Sequence, residues 1–97
     1  MGNIALSNKG FNIAETDTFI KKIEKREYRK IYIKIREYIY PQLRNNPYFG
    51  PNIKKLKGEY SDLYQYGIGN YRLFYEISED EVIIYILEIE NRKDSYK

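Results

Sequence analysis

The segment Val82-Ile83-Ile84-Tyr85-Ile86-Leu87-Glu88-Ile89 limits the possible folds of this chain more than any other. It is far shorter than the roughly 20 residues of a membrane span, and its β-branched and aromatic content reads as a central strand covered at least partly on both faces. Strict alternation puts Val82, Ile84, Ile86 and Glu88 on one face and Ile83, Tyr85, Leu87 and Ile89 on the other. Upstream lie a second β-rich run, Tyr71-Arg72-Leu73-Phe74-Tyr75-Glu76-Ile77, and a third from Tyr60 to Ile68. The connections, Gly69-Asn70 and Ser78-Glu79-Asp80-Glu81, suit hairpins, so three consecutive antiparallel strands are expected.

The N-terminal half has a different period. Gly10-Phe11-Asn12-Ile13-Ala14 alternates and predicts a short first strand. Thr16-Asp17-Thr18 supplies an oxygen-bearing cap for a helix starting at Phe19, with Phe19, Ile20 and Ile23 as its apolar stripe. Tyr28, Ile31, Ile35, Tyr38, Ile39 and Leu43 continue a helical stripe, with a corner expected at Glu27-Tyr28-Arg29. Pro41 is expected to end or kink that helix. Residues 44–53, with Asn45-Asn46-Pro47 and Gly50-Pro51-Asn52, read as loop. The expected class is α+β: a short strand, a two-helix hairpin and a three-stranded antiparallel meander, forming one twisted sheet with the helices on one face. At 97 residues this is one domain, residues 10–97, behind a flexible tail at residues 1–9.

Composition then narrows the chemistry. The chain has no Cys and no His, so thiolate nucleophiles, imidazole bases and the usual zinc sets are excluded, and catalysis would fall to Arg, Lys, Tyr or carboxylates. No Gly-rich loop opens a helix to cradle a nucleotide cofactor, and Glu76, Glu79, Asp80 and Glu81 lack the spacing of a calcium loop, so no cofactor or metal is expected. The start of the chain carries no apolar targeting segment, which points to the cytoplasm and away from membranes. The net charge is +3, unevenly placed: residues 1–50 carry ten Lys/Arg against five Asp/Glu. Such a field draws in nucleic acid or an acidic protein segment.

The basic positions form a candidate site. Lys54, Lys55 and Lys57 precede a strand, Arg72 interrupts an aromatic one, and Arg92, Lys93 and Tyr96 follow the last. In a meander these elements lie side by side, which would bring Lys57, Arg72, Arg92 and Tyr96 into one phosphate-sized region. The plainer arrangement has Arg72 paired with Glu88, the lysines solvated, and Arg92 and Tyr96 at a fraying end. A converged cluster suits metal-free RNA cleavage. Attack of a ribose 2′-oxygen on phosphorus builds negative charge, and a guanidinium fork binds phosphate oxygens bidentately while staying charged.

Lys54-Lys55-Leu56-Lys57-Gly58, Gly69-Asn70-Tyr71-Arg72-Leu73-Phe74-Tyr75-Glu76-Ile77 and Asn91-Arg92-Lys93-Asp94-Ser95-Tyr96 together resemble the RelE/ParE superfamily of toxins from bacterial type II toxin–antitoxin systems. The resemblance implies a toxin held inactive in a hetero-oligomer with a cognate antitoxin. RelE-like members cut messenger RNA on the ribosome without a metal, whereas ParE-like members act on DNA gyrase. By position, Arg72 corresponds to the strand arginine on the scissile phosphate, Tyr96 to the C-terminal tyrosine, and Arg92 to a commonly basic position. The resemblance likewise makes Lys55 and Lys57 RNA-contacting residues, and Lys54 and Lys93 are expected to bind RNA beside them. The chain departs from RelE at Gln65 and Gly67, where RelE has catalytic lysines, and at Asn91, where related toxins have histidine. Tyr96, Glu59 or a neighbouring lysine would then move the protons.

Overall fold

Five strands form one mixed sheet in the order β1-β5-β4-β3-β2. They are β1 (Asn12–Glu15), β2 (Ile53–Lys55), β3 (Leu63–Ile68), β4 (Tyr71–Ser78) and β5 (Ile83–Asn91). The computed structural model describes residues 10–56 and 63–92; the tail expected at 1–9 and the candidates Lys57, Glu59, Lys93 and Tyr96 lie outside these residues. The expected α+β class and the antiparallel meander β3-β4-β5 are present, with β1 added parallel to β5. Among the described residues no helix is long and apolar enough to cross a membrane.

Helix α1 (Asp17–Ile23) begins two residues before the expected start, capped by the Thr16 hydroxyl, which accepts from the Phe19 amide. The chain turns at Glu24 and Lys25, just before the expected corner, and a 3-10 turn at Arg26–Tyr28 leads into α2 (Arg29–Lys34). The expectation that Pro41 ends the helix is corrected, because the helical path runs on through α3 (Tyr40–Asn45); the irregularity expected there is a widened turn just ahead of Pro41. A π-helical turn at Ile35–Ile39 joins α2 to α3, and the Tyr40 amide reaches back to the Ile35 carbonyl. Pro41 has no amide hydrogen and crowds the preceding turn, and a widened turn accommodates it. The wide turn also corrects the predicted stripe. Tyr38 swings out to 60% exposure, while Ile35, Ile39 and Leu43 stay fully buried.

The core lies between this helical layer and one sheet face. Phe19, Tyr28, Ile31, Ile35, Ile39 and Leu43 meet Tyr64, Tyr66, Leu73, Tyr75, Ile84, Ile86 and Ile89. The strict alternation predicted for β5 fails at one point. Tyr75 pairs with Ile86 but Phe74 with Glu88, so Leu87 is the extra residue of a β-bulge. The bulge moves Ile89 onto the core face and Glu88 off it. Glu88 meets Lys22 at 3.6 Å, not Arg72 as in the plainer arrangement.

The other correction is β2. Ile53, expected in a loop, and Lys54-Lys55 form an edge strand whose register is Ile53 to Tyr66, Lys54 to Gln65 and Lys55 to Tyr64. Gly69, at the first central position of the β3-β4 turn, has φ 58°, as a type II′ hairpin requires. Val82 also has φ 58°, and a β-branched residue there is strained. Because Val82 is 40% exposed, Val82→Asn loses little packing. It is expected to raise stability by about 1 kcal/mol, seen as a melting temperature roughly 4–8 °C higher.

One carboxylate joins the two layers. Glu15 Oε2, at the end of β1, accepts from the Tyr32 hydroxyl at 2.8 Å and the Tyr40 hydroxyl at 2.7 Å. Glu15→Ala would leave the phenol of Tyr40, which is 5% exposed, without its acceptor. The expected loss is about 2–3 kcal/mol, read as a lower urea midpoint at unchanged m-value; Glu15→Gln, which keeps a carbonyl acceptor, should lose less.

Candidate functional site

The sheet face turned away from the helices carries the candidate residues. Alternation from the core residues Leu73 and Tyr75 places Arg72, Phe74 and Glu76 on this open face. The register then builds two adjacent cross-strand rows. Gly67, Arg72 and Glu90 form one; Lys54, Gln65, Phe74 and Glu88 form the next. Lys54 therefore shares a face with Arg72. Lys55 points the other way, with Ile53, and is exposed at the sheet edge.

Arg72 is half-buried and forms no ion pair among the described residues. Among the described residues, no atom lies within 4 Å of where a Cβ on its neighbour Gly67 would stand. Glu90, directly across β5, is exposed and holds the local charge near balance. The main chain brings Arg92 to the same end of the sheet, where its amide donates to the Asn70 carbonyl, two residues before Arg72. The structure thus joins Arg72, Arg92 and Lys54 at one end of one sheet and leaves Lys55 off that face.

Sequence reasoning missed Phe74, which lies between Arg72 and Glu76 and offers a half-buried ring on the open face. Its place in the alternation of β4 was the available signal. The tyrosines with displaced acidity all shift upward. Tyr85, on the open face, donates to Glu81 Oε1 at 2.6 Å, and that hydrogen bond raises its pKa first, with burial and the carboxylates adding. Tyr32 is pushed up to about 12, first by burial and then by Glu15. A phenol raised this way stays neutral at ordinary pH and is a poor general base. The arrangement can grip a phosphate and support a base; the described residues supply no tuned proton carrier.

The family model for the ParE toxin of type II toxin–antitoxin systems matches residues 13–96, nearly the whole chain. This chain belongs to the ParE toxin family. Solved structures of related toxins share the fold. The toxin–antitoxin complex RelBE2 from Mycobacterium tuberculosis matches with a TM-score of 0.71 at 23% identity, over 86% of this chain and 99% of that one. The YoeB/ParE toxin from Agrobacterium tumefaciens matches with a TM-score of 0.68 at 15% identity, over 84% and 98%. The RelB-RelE antitoxin–toxin complex from Methanococcus jannaschii matches with a TM-score of 0.59 at 28% identity, over 84% and 93%. No curated protein matches in sequence. In this ParE-family toxin the candidate residues Arg72 and Lys54 lie on the sheet face opposite the helical layer.

Proposed function

We propose that this ParE-family toxin is a ribosome-dependent endoribonuclease that cuts messenger RNA and is held inactive in the cytoplasm by a cognate antitoxin. The observation that carries the reading is Arg72: half-buried and, among the described residues, free of ion pairs and beside a Gly67 whose side-chain position nothing fills. Arg72 takes the scissile phosphate, where its fork of donors stabilises the charge that builds as the ribose 2′-oxygen attacks. Arg92 adds a second cation at the same sheet end, Lys54 draws the backbone across the face, and Phe74 supports a base. Tyr96 or Glu59 moves the protons, with Lys57, Lys93 and Lys55 contacting flanking RNA. Toxin–antitoxin complexes among the structural relatives support an antitoxin partner.

Inhibition of DNA gyrase is the second reading. It is favoured by Gln65 and Gly67, neither of which carries a proton-transfer group on the strand beside Arg72. Induction of the chain in growing cells separates the two readings, with primer extension on translated messages run beside plasmid topology. New 5′ ends inside translated messages with unchanged supercoiling are expected. Relaxed plasmid and double-strand breaks with intact messages would refute the nuclease in favour of the gyrase reading.

A further inference from the structure

Attack by a ribose 2′-oxygen needs two groups that are neighbours without binding each other. One holds the phosphate and the other takes the hydroxyl proton, each within hydrogen-bond reach of a different oxygen of the same nucleotide. Arg72 of β4 and Glu90 of β5 are directly opposed in the register. Both lie on the open face, because their chain neighbours Leu73 and Ile89 are fully buried. Directly opposed side chains leave the sheet about 5 Å apart, and opposite charges so placed attract. Yet the Arg72 guanidinium and the Glu90 carboxylate form no ion pair with each other, nor with any other group among the described residues.

Other acidic residues of the sheet and of the β4-β5 connection are engaged elsewhere or distant. Glu88, one row away, meets Lys22 at 3.6 Å, and its Oε1 accepts from the Ile89 amide at 3.1 Å. Glu15 accepts from the Tyr32 and Tyr40 hydroxyls, Glu81 from the Tyr85 hydroxyl, and Glu79 from the Tyr48 hydroxyl at 2.7 Å. Glu76 is on the open face but four residues along β4 from Arg72, roughly 13 Å away. On the other side of Arg72, Gly67 brings no side chain to compete for the guanidinium. An ionised carboxylate can only accept hydrogen bonds, so a hydroxyl beside it turns its proton towards it. The Tyr85 phenol on the same face has its pKa raised and holds its own proton instead.

We propose that Glu90 is the general base of message cleavage, taking the proton of the ribose 2′-hydroxyl beside the phosphate that Arg72 holds. The proposal rests on the nuclease reading above and names the residue for its first proton transfer. The carboxylate takes the 2′-hydroxyl proton as the 2′-oxygen bonds to phosphorus. The bond from phosphorus to the 5′-oxygen breaks, and that oxygen leaves as an alcohol with a proton from Tyr96, Glu59 or water. The products are a 2′,3′-cyclic phosphate and a free 5′-hydroxyl, and Glu90 returns its proton to solvent.

The test compares wild type with Glu90→Gln in single-turnover cleavage of ribosome-bound message, using a message with a 2′-deoxy nucleotide at the cut site to measure binding. Glu90→Gln should lower the cleavage rate about 10²- to 10⁴-fold with binding of the 2′-deoxy message and the melting temperature unchanged. Glu90→Asp should recover part of the rate. Glu76→Gln makes the same change of charge on the same face and should cut like the wild type. A message with a 5′-thio leaving group, which departs without a proton, should leave the Glu90→Gln defect in place. Unchanged cleavage by Glu90→Gln, or a loss matched by weaker binding or a lower melting temperature, would overturn the base. A defect that vanishes with the 5′-thio message would overturn it too, making Glu90 the acid. The two readings fail distinguishably. A wild type that leaves translated messages intact sinks the nuclease and the base with it, whereas cleavage by both wild type and Glu90→Gln sinks the base alone.

Discussion

Arg72→Ala is expected to lower message cleavage by about 10²- to 10³-fold, the usual cost of removing one charge-stabilising donor from a reacting centre. The fold should survive. Arg72 is on the open face, half-buried and without an ion pair among the described residues, while its neighbour Leu73 and the stacked pair Tyr64–Tyr75, with ring centroids 5.7 Å apart, carry the packing behind it. The melting temperature should move by only a few degrees, as for a surface change within about 0.5 kcal/mol. Arg72→Lys keeps the charge but loses the planar fork, so it should recover only part of the activity. Cleavage kinetics on ribosome-bound message, run beside thermal melts, check both halves. Unchanged cleavage in a folded Arg72→Ala variant would remove Arg72 from the site.

The meander was legible because Gly69-Asn70 and Ser78-Glu79-Asp80-Glu81 separate runs long enough to show their type. The phase within a run was not always legible. From Val82 to Leu87 every position is apolar or aromatic, so alternation cannot mark where a residue is inserted, and the bulge at Leu87 emerges only from pairing with Phe74 and Tyr75. β2 was hidden for the opposite reason. Ile53-Lys54-Lys55 carries one apolar residue after Gly50-Pro51-Asn52, and its strand character comes from its pairing with β3 rather than its own propensity. Tyr38 was misplaced because a 3.6-residue period ignores the π-helical turn that precedes Pro41. At the site, Arg72 could be read from sequence as a lone cation in an aromatic strand. Phe74 and the separation of Lys54 from Lys55 required the register, since each depends on partners distant in sequence.

The tyrosines predict a second large effect, in alkali. In the unfolded chain a phenol ionises near about 10. In the fold Tyr32 is pushed up to about 12, and Tyr40 higher still, by burial and then by the hydrogen bond and charge of Glu15. Tyr75 is raised by burial and then by Tyr64 and Tyr66. Below about pH 10 these phenols are neutral in both states and the stability they contribute is fully present. Above it the unfolded chain binds fewer protons than the folded one, so stability falls as pH rises towards the folded-state values. Each fully displaced phenol contributes a slope of about 1.4 kcal/mol per pH unit. Tyr40 and Tyr75, 5% and 0% exposed, together give about 3 kcal/mol per unit. A domain holding about 5 kcal/mol at neutral pH should therefore be half unfolded roughly two units above pH 10. Circular dichroism followed with phenolate absorbance should show a late group of tyrosines titrating together with loss of structure. Tyr75→Phe should flatten the decline by about 1.4 kcal/mol per unit even though it also removes the hydrogen bond to Pro47. If all twelve tyrosines ionised at their ordinary value in a chain that kept its circular dichroism, the tie between the Glu15 network and the core would be wrong.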